Sequence, residues 1–294
     1  MKRLLLPVTA LLALAGCSGP GLLDAVDNLT PGDKRAVRLV SGASYGKDRR
    51  QKLDLWRAGD ADHKVQPVLI FFYGGSWNAG NRRDYGFAAR AYAAQGFTVI
   101  VPDYRLVPQV HFPAFVEDGA AAIRWARDHA AAFGGDPQHI LLAGHSAGAQ
   151  IAMLLALDRH YLADAGVDPG TIRAVAGLAG PYDFLPFDVP ASIDAFGQAP
   201  DPALTQPIHF AHRDAPALWL ATGSADTIVR PRNSQALAAA QTRAGATIVY
   251  REYPGLDHGD IVMALSKTFR RKGPVLAESS DFLMAHAGPA DGPR

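Results

Sequence analysis

Two hydrophobic rhythms alternate along this chain. The first consists of short apolar runs. "AVRLV" (36–40) and "QKLDLW" (51–56) mix apolar with polar residues, the pattern of antiparallel edge strands. "PVLIFF" (67–72) and "FTVIVPDY" (97–104) are continuously apolar at their centres, as expected of strands covered on both faces. "HILLAG" (139–144), "AVAGLA" (174–179), "ALWLAT" (217–222) and "TIVYREY" (247–253) continue the series. The second rhythm is helical. It occupies "GFAARAYAAQG" (86–96), the long stretch 113–133, "AQIAMLLAL" (149–157), "RNSQALAAAQTRAG" (232–245) and a final segment near 275–286. In 113–133, Phe115, Ala122, Ile123, Ala126, Ala130 and Phe133 share one face. Gly119 falls on that face too, which predicts close packing there, since an interior glycine costs a helix about 1 kcal/mol relative to alanine.

Strands alternating with helices predict an α/β fold with a mostly parallel central sheet flanked by helices. The stretch 180–216 breaks the alternation with many prolines and aspartates and is expected to be a small cap insertion. Length and composition agree with a globular domain: 294 residues, 48% hydrophobic and 19% charged. The net charge of +1 supplies no field for nucleic acid. The basic run Phe269–Lys272 is read as a solvated helix face.

The N-terminus has its own logic. Lys2 and Arg3 precede the apolar stretch Leu4–Leu14, too short to span a bilayer and suited to a signal-peptide core. It ends in Leu14-Ala15-Gly16-Cys17, which resembles the lipobox of bacterial lipoproteins. That resemblance implies cleavage before Cys17, lipidation of its sulfur and a membrane anchor, with an ordinary export signal as the alternative. Ser18, in place of aspartate, favours an outer-membrane address facing the periplasm. Cys17 is the sole cysteine, so no disulfide forms within the chain. Residues 1–17 are thus expected to be a signal peptide, 18–36 a flexible tether, and 37–294 a single domain.

Candidate chemistry begins with Gly144-x-Ser146-x-Gly148. The same spelling occurs at Gly42-x-Ser44-x-Gly46, so context has to separate the two. Ser146 lies between a buried strand and a helix, where a sharp bend lifts the side chain off the sheet and the helix aims free N–H groups at it. Ser44 precedes charged residues and another strand, and is read as part of an edge turn. A nucleophilic serine needs a base, and the base an orienting acid. Such groups belong just past the carboxyl ends of strands. His258 follows "TIVYREY" and Asp226 follows "ALWLAT"; both satisfy that rule. Asp183 and Asp257 are rivals for the acid. The other histidines fit less well: His145 adjoins the nucleophile, where neighbouring side chains tend to diverge, and His209 and His212 lie in the cap. Backbone N–H groups of Ala147, Gly74 and Gly75 are the candidate oxyanion donors, the last two from "YGGSW" after "PVLIFF".

With these parts in place, residues 37–286 resemble the α/β-hydrolase superfamily. Within it they are similar to the esterase branch containing hormone-sensitive-lipase-like carboxylesterases, prenylcysteine methylesterases and kynurenine formamidases. "YGKDRRQKLDLW", the block from "DYRLVPQVHFP" to "LLAGHSAGAQIA", "GPYDF" and "GSADTIVRPRNSQAL" carry the resemblance. It implies a serine carboxylesterase for small to medium acyl esters, with a Ser146–His258–Asp226 triad, an acyl-enzyme, and neither metal nor cofactor. A formamidase sharing the machinery and a non-catalytic binding protein are the alternatives. A dinucleotide-binding enzyme is excluded, because no Gly-x-Gly-x-x-Gly follows the first strand. One departure stands out: Tyr73 occupies the place where the branch usually has histidine, which puts the hydrogen bonding of the oxyanion loop in question.

Overall fold

The computed structural model describes residues 19–33, 36–59 and 65–288. Its centre is one eight-stranded sheet in the order β1-β2-β4-β3-β5-β6-β7-β8. The strands are β1 (Ala36–Ser44), β2 (Lys52–Ala58), β3 (Gln66–Phe72), β4 (Thr98–Pro102), β5 (Gly135–His145), β6 (Ile172–Leu178), β7 (Ala217–Gly223) and β8 (Ile248–Tyr253). β1 and β2 run antiparallel at one edge, and β3 to β8 run parallel. β5 begins earlier than its apolar run because Gly135 and Asp136 already pair with Gln66 and Pro67. Backbone pairing, unlike side-chain pattern, leaves no mark in the sequence at those two positions.

Among the described residues there are six longer helices: α1 (Pro20–Leu29), α2 (Gly86–Ala94), α3 (Ala114–His129), α4 (Ala147–Leu157) and, after the short α5 (His160–Asp164) and α6 (Pro190–Phe196), α7 (Arg232–Ala244) and, after the short α8 (His258–Met263), α9 (Val275–His286). The expected helix 113–133 is α3 followed by a 3-10 turn over Ala130–Phe133. On its inner face Phe115, Gly119, Ala122, Ile123, Ala126 and Ala130 are buried, while Phe133 is only half-buried. Gly119 has the packing role expected: a Cβ there would lie 2.7 Å from Leu155 Cδ1. Every residue of α4 is buried, which explains an apolar surface all round rather than a stripe. Its single large polar side chain, Gln150, is satisfied by Trp77 Nε1, which donates to its oxygen at 3.2 Å, and by the Thr205 carbonyl, 3.0 Å from its nitrogen.

The segment between β6 and β7 carries α6 and two 3-10 turns, Pro202–Thr205 and Pro207–Phe210. Phe196 seats it on the domain, with ring centroids 4.7 Å from Trp77 and 5.6 Å from Phe115.

The tether expected at 18–36 requires correction. Most of it is α1, docked on the domain. Leu23 packs against the core, and Asp27 is fully buried. Asp27 accepts from Arg90 Nη2 at 2.9 Å and from the Lys267 backbone N–H at 2.6 Å. The same guanidinium reaches Asp24 at 2.8 Å, and Asp33 pairs with Arg270 at 2.7 Å. These partners lie far along the chain, whereas the glycines and prolines at both ends of the segment are what the local sequence offers as linker signals. The signal segment and Cys17 lie outside the described residues.

Removing one member of a buried ion pair strands the other, at a cost of about 3–5 kcal/mol. Asp27→Ala is therefore expected to lower the urea midpoint by several tenths of the wild-type value, whereas Asp281→Ala, on an exposed position, should leave it unchanged. Equal midpoints for Asp27→Ala and wild type would show that α1 is not held by this pair.

Candidate active site

Ser146 is the single residue between β5 and α4, and its backbone is forced to φ 54°, ψ −123°. That strained conformation is imposed by the crossing around it. A Cβ on Gly144 would lie 2.4 Å from the Gly148 carbonyl oxygen, and one on Gly148 would lie 2.2 Å from that of Phe72. No side chain fits at either position, so both glycines are required by backbone contact. Ser44 is remote from this arrangement: it ends β1, and its hydroxyl accepts from Lys52 Nζ at 2.5 Å.

The structure brings Ser146, His258 and Asp226 together. His258 Nε2 lies 2.9 Å from Ser146 Oγ, and His258 Nδ1 lies 2.8 Å from Asp226 Oδ2. A carboxylate only accepts, so Nδ1 carries the proton and Nε2 faces the hydroxyl as acceptor. The second oxygen of Asp226 accepts from the backbone N–H groups of Ile228 and Val229, each at 2.9 Å. Asp226 is buried and fully engaged. Asp257 instead caps α8, accepting from the Asp260 N–H at 2.8 Å. Asp183 lies outside the relay, with its backbone N–H donating to Asn233 Oδ1.

Two of the candidate oxyanion donors, Ala147 and Gly74, adjoin Ser146. Ala147 opens α4, so its N–H lies outside the helical ladder, and Ala147 lines the same cavity as Ser146. A Cβ on Gly74 would lie 3.1 Å from Ser146 Cβ, which places that backbone against the nucleophile. Gly75 has φ 135°, and Ser76 and Trp77 follow at φ 51° and 58°. Three successive left-handed residues make a tight, strained loop. It is Ser76 and Trp77, rather than Gly74 and Gly75, that line the cavity wall.

Tyr73 answers the question raised by the missing histidine. Its ring is buried between Tyr104 and Tyr85, with centroids 4.8 and 5.5 Å away. Burial holds the phenol protonated well beyond its ordinary range. The hydroxyl donates to Asp103 Oδ1 at 3.0 Å and accepts from Arg50 Nη2 at 2.9 Å. Arg50 also donates to the Gly80 carbonyl at 2.9 Å, and Tyr104 donates to the Tyr73 carbonyl at 2.9 Å. Arg82 pairs with both Asp103 and Asp54. Both ends of the oxyanion loop are therefore tied to one charged network.

His145 is a participant that its place in the sequence does not suggest. Its Nε2 lies 3.1 Å from the His258 carbonyl oxygen, and the two rings are 4.8 Å apart. The carbonyl can only accept, so Nε2 donates and steadies the backbone of the base. Its Nδ1 is buried with no hydrogen-bond partner among the described residues. Burial, reinforced by neighbouring His258, pushes the His145 imidazole down to about 3, so it stays neutral. The signal was present in the sequence, in a histidine adjoining the nucleophile, but its partner lies 113 residues ahead.

A cavity of ≈ 250 Å³ opens over Ser146, walled by Trp77, Phe184, Val189, Ile228 and Asn233 among others. A larger one, ≈ 470 Å³, lies at the opposite ends of the strands near Ile172 and Ala217, and none of the relay residues lines it.

The parallel sheet, the strained serine turn and the order of the site residues define the α/β-hydrolase fold. The chain belongs to the BD-FAE family, whose model matches residues 53–240. It is 33% identical over 240 residues to esterase LipC of Mycobacterium tuberculosis, covering 73% of this chain and 58% of LipC. To esterase LipQ of the same organism it is 31% identical over 274 residues, covering 85% and 63%. The chain thus spans about three fifths of the length of these relatives. Among solved structures, a thermostable esterase from Pseudomonas putida ECU1011 superposes with a TM-score of 0.77 over 96% of both chains at 19% identity, a likeness of fold.

A histidine held neutral in the fold but free to charge when unfolded makes stability fall with acid. Its contribution is intact above pH 6.5 and erodes as the pH drops toward about 3. At pH 5 the loss is about 2 kcal/mol. Urea unfolding of the wild type between pH 7 and 5 should show that fall, and His145→Gln should flatten it. Parallel pH curves for the two proteins would rule out His145 as its source.

Proposed function

We propose that this protein is a serine carboxylic-ester hydrolase that works through an acyl-enzyme on Ser146. The observation that carries the reading is the unbroken relay from Ser146 Oγ through His258 to Asp226, opening on a cavity at the strand ends. The esterase names of the curated relatives support the same class.

In the first half-reaction, Ser146 Oγ bonds to the ester carbonyl carbon as its proton passes to His258 Nε2. Asp226 stabilises the imidazolium and holds its orientation. The carbonyl electron pair moves onto oxygen, where backbone N–H groups of Ala147, Gly74 and Gly75 stabilise the charge. Fixed donors of this kind contribute about 3–4 kcal/mol each in comparable sites. Collapse of the intermediate expels the alcohol, which takes the proton from His258. Water then enters, gives its proton to His258, and the acid leaves as Ser146 regains its hydrogen. His145 supports this chemistry by staying neutral: a second positive charge beside His258 would oppose imidazolium formation.

Ser146→Ala is expected to lower turnover of p-nitrophenyl acetate by at least about a thousandfold and to abolish labelling by a fluorophosphonate probe. Ser44→Ala should match wild type in both assays. Wild-type rates from Ser146→Ala would sink the assignment, and faster turnover of N-formylkynurenine than of short esters would redirect it to an amidase.

We also propose that Cys17 carries a lipid that holds the enzyme to the outer membrane, facing the periplasm. The Leu14–Cys17 sequence supports this. In a bacterial host, Cys17→Ser should move the protein from the membrane fraction to the soluble one and stop incorporation of labelled palmitate. Unchanged partitioning and labelling would discard the anchor.

A further inference from the structure

A helix on the surface of a domain ordinarily turns its apolar side inward and its charges to water. α1 does the reverse. Its two charged residues, Asp24 and Asp27, face the domain, where Arg90 Nη2 reaches them at 2.8 and 2.9 Å. Around the helix, Ala25, Leu29, Leu22 and Val26 fall within an arc of roughly 100°, centred nearly opposite Asp27. Leu29 is 85% exposed and Leu22 41%. Ala25 is exposed as well, and Val26 is half-buried. The charges of α1 are thus engaged by the domain, and an uncharged apolar stripe is left in water. Scattered exposed apolar residues are ordinary, whereas a row along one helix marks a contact surface.

The place of α1 in the chain says what covers the stripe. It opens at Pro20, three residues after Cys17, the residue proposed to carry lipid. A stripe that close to an inserted anchor is held beside the bilayer. Two cations frame it. At the N-terminal end, α1 lies against the turn Arg82–Tyr85, since a Cβ on Gly21 would lie 2.9 Å from Asp84 Oδ1. That turn carries the exposed Arg83. At the other end, Thr30 Oγ1 lies 3.2 Å from Thr268 Oγ1, three residues before the exposed Arg271. Among the described residues neither Arg83 nor Arg271 is in an ion pair, so both guanidiniums are open to an anionic partner. An apolar stripe bordered by cations is the composition of a helix that lies in a bilayer interface.

We propose that the outer face of α1 is a membrane-contact surface: Leu22, Ala25, Val26 and Leu29 enter the boundary between headgroups and acyl chains, and Arg83 and Arg271 meet lipid phosphates. The proposal rests on the anchor at Cys17 and adds a second contact to it. The stripe is too short to hold the domain by itself. The anchor supplies the local concentration at which so weak a contact becomes effective. With both made, the α1 face is the side of the domain that meets the bilayer.

The test uses the fact that Cys17 is the sole cysteine, so a thiol introduced into the lipidated protein is labelled uniquely. Lipidated protein carrying Leu29→Cys, Ala25→Cys or Arg243→Cys is labelled with a nitrobenzoxadiazole fluorophore. Each is reconstituted into vesicles of phosphatidylethanolamine and phosphatidylglycerol containing a phosphatidylcholine with a nitroxide high on its acyl chain. Arg243 is exposed on α7, which packs beside β8 at the far edge of the sheet from β1. Quenching at positions 29 and 25 is expected to be at least about threefold stronger than at 243. Adding Leu22→Ser/Leu29→Ser should bring position 25 down to the level of 243. Both leucines are exposed, so folding should be little affected, and equal urea midpoints check this. Equal quenching at 29 and 243 in lipidated protein overturns the contact surface and leaves the anchor standing. Shielding of position 29 without vesicles, growing with protein concentration, assigns the stripe to a second copy of the chain and also overturns it. Failure of Cys17 to take up labelled palmitate removes the anchor reading, and this proposal with it.

Discussion

The structure depends on one close crossing of backbone. Gly148, in the first turn of α4, lies against the carbonyl groups of Phe72 and Tyr73 at the end of β3. Gly144, at the end of β5, faces Gly148 across the turn. Because no side chain intervenes, the nucleophile turn and the oxyanion loop are held as one body. Ser146 absorbs the cost as a strained φ, and the loop from Gly75 to Trp77 absorbs more. Such strain persists only where surrounding packing over-determines it. Here the packing is the wholly buried α4, wedged between the sheet, α3 and the cap.

Around that crossing, polar groups do the positioning that an apolar core cannot. Tyr73, Arg50, Asp103 and Arg82 fix the back of the oxyanion loop, and Trp77 and Gln150 tie its front to the cap through Thr205. Tyr73 carries part of that positioning. Its hydroxyl both donates and accepts, so it bridges a carboxylate and a guanidinium from within the core. His145 does the same for the base with one nitrogen, and its other nitrogen has no hydrogen-bond partner among the described residues.

Much of this was legible in the chain. Strand and helix order follow from periodicity, and Ser146, Asp226 and His258 follow from their places after strands. Asp257 was separable from Asp226 only in part, since its capping bond to Asp260 is a local pattern while the reach of Asp226 to His258 is not. What escaped depends on partners distant in sequence. The α1 helix looked like a linker because Arg90 and Lys267, which hold Asp27, lie far downstream. His145 looked superfluous because its acceptor is a backbone carbonyl, which no side-chain pattern reveals. The early start of β5 is of the same kind.

The docking of α1 also changes how the domain would move on a membrane. A flexible stretch of nineteen residues has a typical end-to-end span of about 25 Å, enough to let the domain tumble and face any direction. With Pro20 already in a helix fixed to the body, only Ser18 and Gly19 separate Cys17 from it, a reach of about 10 Å. An anchor there would act as a pivot rather than a leash. The domain would rock about one point near the bilayer, and the direction in which its cavity faces would be set by the protein's own surface.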